Sequence, residues 1–227
     1  MIKLQTPVNF DASPVRIGLN DKVLVAGSCF ADEVGSRMVR AGFDACVNPF
    51  GTLYNPVSIL NSLVRLDENR RFTDTDCVEM GAGAGLICSF SHHTSFARKS
   101  ASDFLLHANE ELEKASAFWK LCNKVIVSLG TVYCFRSKNN GKVVSNCLKR
   151  PAAEFERRAL TLDETASALR SIIEICKEKE IIFTVSPIRH LADGAHGNQL
   201  SKSTLLLAVN SVVGKSVEYF PAYEILL

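Results

Sequence analysis

A hydroxyl and a thiol stand together where an apolar run ends near the amino terminus. Residues 22–27 read Lys-Val-Leu-Val-Ala-Gly, and Ser28 and Cys29 follow before a helical pattern begins. A glycine before Ser28 lets the backbone turn tightly out of a strand. The free N–H groups and the dipole at a helix amino terminus favour negative charge. A nucleophile placed there can attack a carbonyl carbon, because the developing oxyanion meets such donors.

Two other interpretations of these residues stay open. Serine is a preferred N-cap residue, so Ser28 can simply begin the helix. Cys29 is the alternative nucleophile, because a helix amino terminus favours the thiolate form. Only one of two successive side chains faces a cleft, so Ser28 and Cys29 are rival assignments for the same role.

The elements that would position these residues predict an α/β domain. Apolar runs at 22–28, 124–130 and 181–187 are typical of strands buried on both faces. Further strands are predicted at 43–48 and 217–227, and a hairpin is predicted around Asn140-Gly141. The predicted helices cover residues 31–42, 56–66, 100–123, 161–180 and 198–214. Alternation of strands with long helices indicates crossover connections and a mostly parallel sheet.

The same alternation predicts where a ligand binds. Open parallel sheets bind ligands outside the carboxyl ends of their strands. Those ends carry residues 27–29, 129–131 and 185–187, and residues 48–52 follow the predicted strand at 43–48. We therefore expect the candidate site residues at these ends to gather at one edge of the sheet; they are Ser28, Asn48, Gly51, Gly130, Thr131 and Ser186.

Composition narrows the function classes. The net charge is +2 and there is no basic stripe, so nucleic acid is not an expected partner. There is no apolar run of about 18 residues and the amino terminus carries no apolar leader, so no membrane association is expected. The eight cysteines contain no closely spaced metal-binding pair. We expect a reduced, cytoplasmic chain without a metal or another cofactor.

Five short blocks carry a resemblance to a known family. They are Gly-Ser-Cys-Phe-Ala at 27–31, Asn-Pro-Phe-Gly-Thr-Leu-Tyr-Asn-Pro at 48–56, Ser-Leu-Gly-Thr-Val-Tyr at 128–133, Thr-Val-Ser-Pro-Ile-Arg-His at 184–190 and Asn-Gln-Leu-Ser-Lys-Ser-Thr-Leu-Leu at 198–206. In this order the blocks resemble the GSCFA family, which is itself similar to the SGNH (GDSL-like) hydrolases. The resemblance implies a three-layer, flavodoxin-like α/β fold in a single domain and an esterase or acetylhydrolase activity.

The resemblance also assigns roles to residues. It implies Ser28 as the nucleophile and the backbone amides of Ser28 and Gly51 as oxyanion donors. SGNH enzymes usually take a third donor from an asparagine after the third block. This chain has Gly130-Thr131 there, so Thr131 is the candidate for that donor.

The catalytic base is the role for which the chain offers several candidates. The resemblance implies an Asp-x-x-His motif near the carboxyl terminus of the family's proteins, past residue 227, so we expect residues 1–227 alone to hydrolyse esters poorly. The chain itself holds one such motif, from Asp193 to His196, and His190 lies closer to the preceding strand. Either histidine can serve as base with an acid behind it. Arg189 is a candidate for binding an acidic group of the substrate.

Two other chemistries are considered. His92, His93, His190 and His196 could hold a metal, although adjacent histidines on a strand point in opposite directions. Residues 81–86 resemble a dinucleotide loop but lack its spacing, which favours a flexible loop. The predicted function is therefore hydrolysis of an acyl ester, carried by a small molecule or a carbohydrate. The alternatives are a catalytically silent binding domain of the same fold and an O-acyltransferase.

Overall fold

The computed structural model describes residues 7–9 and 12–226. Its strands, in chain order, are β1 (Lys22–Gly27), β2 (Asp44–Val47), β3 (Val78–Glu79), β4 (Ile87–Cys88), β5 (Lys124–Leu129), β6 (Tyr133–Ser137), β7 (Val143–Val144), β8 (Phe155–Ala159), β9 (Glu180–Val185) and β10 (Val217–Phe220). The helices are α1 (Cys29–Arg40), α2 (Pro56–Glu68), α3 (Ala101–Leu121), α4 (Leu162–Ile175), α5 (Gly194–Asn210) and α6 (Ala222–Ile225).

Five strands form the central sheet in the order β2-β1-β5-β9-β10, and every pair is parallel. Counted among these five strands alone, the order is 2-1-3-4-5, which is the flavodoxin-like arrangement. The expected α/β fold is therefore confirmed. The order of the strands reverses between β1 and β5, so the crevice for a ligand is expected at their carboxyl ends.

Helices cover both faces of this sheet because successive residues of a strand point to opposite sides. Leu24 and Ala26 of β1 belong to the larger core cluster, which also contains buried residues of α2, α3, α4 and α5. Val23 and Val25 point the other way and pack with Ala31 of α1. The sheet is thus the middle of three layers.

A smaller antiparallel sheet, β7-β6-β8, stands beside the carboxyl edge of the central one. The predicted hairpin at Asn140-Gly141 is confirmed, since it joins β6 to β7 and Gly141 has a φ of +69°. The partner strand β8 is absent from the sequence prediction. Its residues, Phe-Glu-Arg-Arg-Ala, lack an alternating apolar pattern because most of them are exposed on an edge strand.

Several boundaries differ from the prediction; α4, for example, ends at Ile175 instead of residue 180. Helix α1 begins at Cys29 instead of residue 31, because Ser28 is its N-cap. Helix α5 begins at Gly194 instead of residue 198, in a stretch whose two glycines hide the helical pattern. The final strand ends at Phe220, because Pro221 has no N–H to continue the ladder, and α6 follows. Residues 81–86 connect β3 to β4 and begin no helix, as predicted.

Two further expectations are the absence of a membrane-spanning helix and a set of reduced cysteines. Among the residues that the structure describes, no helix has both the length and the apolar character needed to cross a bilayer. All eight cysteines lie in the described part of the chain, and each of them is a free thiol.

Candidate functional site

Ser28 lies at the reversal point of the sheet, between the carboxyl ends of β1 and β5. Its Oγ is 2.9 Å from Ser128 Oγ and accepts a weaker hydrogen bond from the N–H of Phe30 at 3.3 Å. Ser28 is only 1% exposed, yet it lines the floor of a cleft. The N-cap role and the cleft-facing position therefore coexist in one side chain.

Gly27 allows the chain to leave β1 in this direction. Its φ is +136°, and a Cβ added there would lie 2.1 Å from the backbone oxygen of Ser128. The N–H of Ser28 donates to that same oxygen at 3.0 Å. A residue without a side chain is required because β1 and β5 come into backbone contact at this point.

Asn48 holds the turn that presents Ser28. Its Oδ1 accepts from the N–H of Gly27 at 2.7 Å, and its Nδ2 donates to Asp32 Oδ1 at 2.5 Å. Its backbone has a φ of +42°, a conformation that asparagine tolerates better than most residues. Asn48 is buried and does not line the cleft. Its amide therefore braces the start of α1 and is not directed at a ligand.

The cleft has a volume of about 360 Å³. From the predicted set it brings together Ser28, Thr131, Ser186, His190 and Asp193. Cys29 lines it as well, so the expectation that only one of the successive residues Ser28 and Cys29 reaches the cleft is wrong. Strands and loops from both sheets form its walls, with the aromatic rings of Tyr54, Tyr133 and Phe135 and the guanidinium group of Arg157.

The other predicted site residues lie outside the cleft lining. Gly51 packs against His93, and a Cβ on Gly51 would lie 2.4 Å from that of His93. Gly130 is buried, and its carbonyl oxygen accepts from Lys202 of α5. Arg189 and His196 are exposed, the latter in the first turn of α5. Their predicted roles are not supported by contact with the cleft.

His190 is the histidine that lines the cleft. Its ring lies edge-on to that of Tyr54, with 6.0 Å between centroids, and its backbone N–H donates to Asn198 Oδ1 at 3.1 Å. Burial lowers the pKa of His190, and the charge of Lys202 lowers it further. The neutral imidazole is thereby favoured, which is the form that a general base needs.

Asp193 has a cation as its partner. Its side chain is 4% exposed and forms an ion pair with Arg157, whose guanidinium carbon lies 4.0 Å from the centre of the Tyr133 ring. The Asp193 carboxylate opposes the lowering of the His190 pKa as a secondary influence. Arg157 and Asp193 therefore form a charged wall of the cleft beside His190.

The backbone amides that the resemblance implies as oxyanion donors already have acceptors. The N–H of Ser28 donates to Ser128 O, and the N–H of Gly51 donates to Asn48 O at 2.7 Å. The amides of Gly130 and Thr131 both donate to Tyr54 O, at 2.8 and 3.0 Å. The Thr131 hydroxyl is 3.1 Å from Ser201 Oγ. An oxyanion at Ser28 would have to compete with these acceptors for the amide protons.

The structure adds one charged residue that sequence reasoning missed. Lys202 is 0% exposed, and its Nζ donates to the carbonyl oxygens of Gly130 and Ser186, each at 2.7 Å. The signal was present in the spacing, because Asn198, Lys202, Leu205 and Val209 share the buried face of α5. A lysine at a buried helical position is unusual enough to be noticed.

The histidines of the metal alternative lie in different surroundings. His92 is buried among aromatic rings, with 4.4 Å between its ring centre and that of Phe96, and its Nδ1 is 2.7 Å from Ser89 Oγ. His93 caps a short 3-10 helix, His190 lines the cleft and His196 is exposed. In the described ranges, 7–9 and 12–226, no three metal-ligating side chains gather.

The burial of His92 predicts loss of stability in acid. Burial lowers the pKa of His92 from 6.5 to about 3, and the nearby charge of Arg65 contributes. The unfolded chain takes up this proton below pH 6.5, whereas the folded chain does not. We expect the free energy of unfolding measured by urea denaturation to fall by an additional 1.4 kcal/mol or so per pH unit as the pH decreases from 6.5 towards 3.

Two variants separate this contribution from those of other groups. His92→Phe should show a shallower loss of stability over this pH range, whatever its stability at pH 7. His196→Phe is the matched control at an exposed histidine and should keep the wild-type slope. Equal slopes in wild type and His92→Phe would show that His92 is not the proton-linked group.

Comparison with protein families agrees with the blocks found in the sequence. A family model described as the GSCFA family matches residues 22–227, which includes all five blocks. The comparisons with curated proteins and with solved structures found no significant match. The match spans both edges of the central sheet and every residue that lines the cleft. The chain belongs to the GSCFA family.

Proposed function

We propose that this protein is an SGNH-like serine hydrolase that cleaves an acyl ester, such as an acetyl ester, through an acyl-serine intermediate. The observation that carries the proposal is the placement of Ser28. Its hydroxyl lies at the floor of the cleft, at the reversal point of the sheet and at the amino terminus of α1. Charge that develops on a carbonyl oxygen beside it meets the favourable end of the helix dipole.

The proposed reaction has two steps. Ser28 Oγ attacks the carbonyl carbon, its proton passes to a base, and the alcohol leaves with a proton from that base. Water then attacks the acyl-serine and releases the acid. His190 is the proposed base within the described residues, since it lines the same cleft. Ser28 must release its contact with Ser128 before it can pass its proton to this base.

The walls of the cleft favour a carbohydrate as the alcohol part of the ester. Tyr54, Tyr133 and Phe135 present aromatic rings, which pack against the apolar faces of sugar rings, and Arg157 adds a charged donor. We propose a small-molecule or carbohydrate ester as substrate, with no cofactor, nucleic acid or membrane involved. The free cysteines support a cytoplasmic location.

A catalytically silent binding domain is the second candidate function. Within residues 7–9 and 12–226, the side-chain hydrogen-bond partner of Ser28 Oγ is Ser128 Oγ, and no imidazole hydrogen-bonds to it. The amides implied as oxyanion donors also have acceptors. An O-acyltransferase is the third candidate, because transfer to a sugar hydroxyl passes through the same acyl-serine.

Covalent trapping tests the proposal. The folded protein is incubated with a fluorophosphonate, and the modified residue is identified by peptide mass spectrometry. We expect one adduct on Ser28, none in Ser28→Ala or in urea-unfolded protein, and undiminished labelling in Cys29→Ala. His190→Ala should slow labelling if His190 is the base. A folded protein that forms no adduct would favour the silent binding domain.

A further inference from the structure

Lys202 is buried directly below the residues that line the cleft. From α5 it reaches the carboxyl ends of two neighbouring strands, where its Nζ donates to Gly130 O after β5 and to Ser186 O after β9. Ser186 and the neighbour of Gly130, Thr131, line the cleft. One ammonium group therefore joins the two loops that form the floor on this side of Ser28.

The ammonium group has no carboxylate partner among the salt bridges of the described residues. The titratable groups that face it are the thiol of Cys29, the imidazole of His190 and the Tyr223 ring, whose centre lies 5.9 Å from Nζ. Asp193, the acid near His190, is paired with Arg157. The positive charge of Lys202 is thus uncompensated and acts on the cleft through a buried medium, where screening by solvent is weak.

We propose that Lys202 is a positioning residue of the acyl-transfer site: it fixes the Gly130 and Ser186 loops from below, and its uncompensated charge favours negative charge that develops beside Ser28. This inference rests on the function proposed above. It answers the difficulty that the expected amide donors are already engaged, because a buried cation stabilises an oxyanion without donating a hydrogen bond to it.

The charge of this lysine costs the folded state stability. Burial lowers the pKa of Lys202 to about 8, so the folded state is penalised for keeping the group charged at neutral pH. A methionine of similar volume would avoid that penalty but would leave the carbonyl oxygens of Gly130 and Ser186 without this donor. The same shift predicts that the charge, and with it the support for an oxyanion, is lost as the pH rises through about 8.

The test compares Lys202→Met, which removes charge and donors, with Lys202→Gln, which keeps a neutral donor for one carbonyl. The matched control is Lys179→Met, because Lys179 also donates to a backbone carbonyl, that of Cys122 at 3.0 Å, but lies at the opposite edge of the sheet. Two quantities are measured in each folded variant: the NMR titration of the His190 imidazole and the rate of Ser28 phosphonylation.

Both Lys202 variants should raise the pKa of His190, because a neighbouring positive charge is gone, and both should slow phosphonylation by about tenfold or more. Lys179→Met should change neither quantity. A wild-type His190 titration in either Lys202 variant, or an unchanged phosphonylation rate, would overturn the proposal.

Two arms keep this test separate from the proposed function and from folding. If wild type itself is not phosphonylated, the hydrolase function fails, and the His190 titration still decides whether Lys202 sets the charge of the cleft. If the Lys202 variants do not fold, the His190 titration of the wild-type protein tests the inference instead. The His190 resonance should then show a second inflection near pH 8, as Lys202 loses its proton. A single inflection would contradict the inference.

Discussion

Replacement of Ser28 by alanine should abolish hydrolysis of a simple aryl acetate while leaving the fold intact. The acyl-serine cannot form without Oγ, so the variant should show only the background rate; in a fully active serine enzyme, loss of the nucleophile lowers kcat by roughly 10⁴-fold to 10⁶-fold. The lost cap interaction, with Phe30 N at 3.3 Å, costs about 1 kcal/mol, too little to unfold the domain. The measurement is the steady-state rate of aryl acetate hydrolysis, with thermal unfolding followed in parallel.

Cys29→Ala is the matched control, because it removes the neighbouring nucleophile on the same helical turn. We expect it to retain hydrolysis within a few fold of wild type. The assignment of Ser28 would be wrong if Cys29→Ala were the inactive variant and Ser28→Ala the active one. Equal, measurable rates in both variants would show that neither side chain is the nucleophile.

Gly27→Ala should destabilise the whole domain. The added Cβ would lie 2.1 Å from Ser128 O and 2.8 Å from Ser128 C, and the backbone φ of +136° is strained for alanine in any case. Gly27 ends β1 and Ser128 belongs to β5, and both are interior strands of the central sheet. Neither backbone can move away from the other without breaking the hydrogen bonds between β1 and β5. We expect the free energy of unfolding to fall by about 4 kcal/mol or more.

Gly214→Ala provides the control for this substitution. A Cβ at Gly214 meets no atom within 4 Å, so the same chemical change should leave stability within about 1 kcal/mol of wild type. Urea denaturation of the three proteins measures both effects. A Gly27→Ala protein as stable as the Gly214→Ala protein would show that the β1–β5 contact is looser than described.

Local patterns in the sequence were sufficient for the fold class and for the position of Ser28 at the end of the first strand. The apolar runs that became β1, β5 and β9 are continuous because a parallel sheet buries both faces of its strands, and this pattern is visible without a structure. The position of Ser28 was predictable because this residue follows β1 directly in the chain and is the N-cap of α1. Elements with weak local signals were not found from the sequence: β8 was not predicted, and the predicted start of α5 lies four residues after the observed one.

The composition of the site depended on contacts between residues far apart in the chain. Asn48 resembled a substrate-binding residue in the sequence, but its amide braces Gly27 and Asp32. Lys202 resembled an ordinary helical lysine until α5 packed it beneath Gly130 and Ser186. Periodicity and spacing report the face on which a side chain lies. The atoms that it meets there are decided by the packing of separate elements. That is why the engaged amides, the charge of Lys202 and the presence of His190 instead of His196 in the cleft emerged only from the tertiary structure.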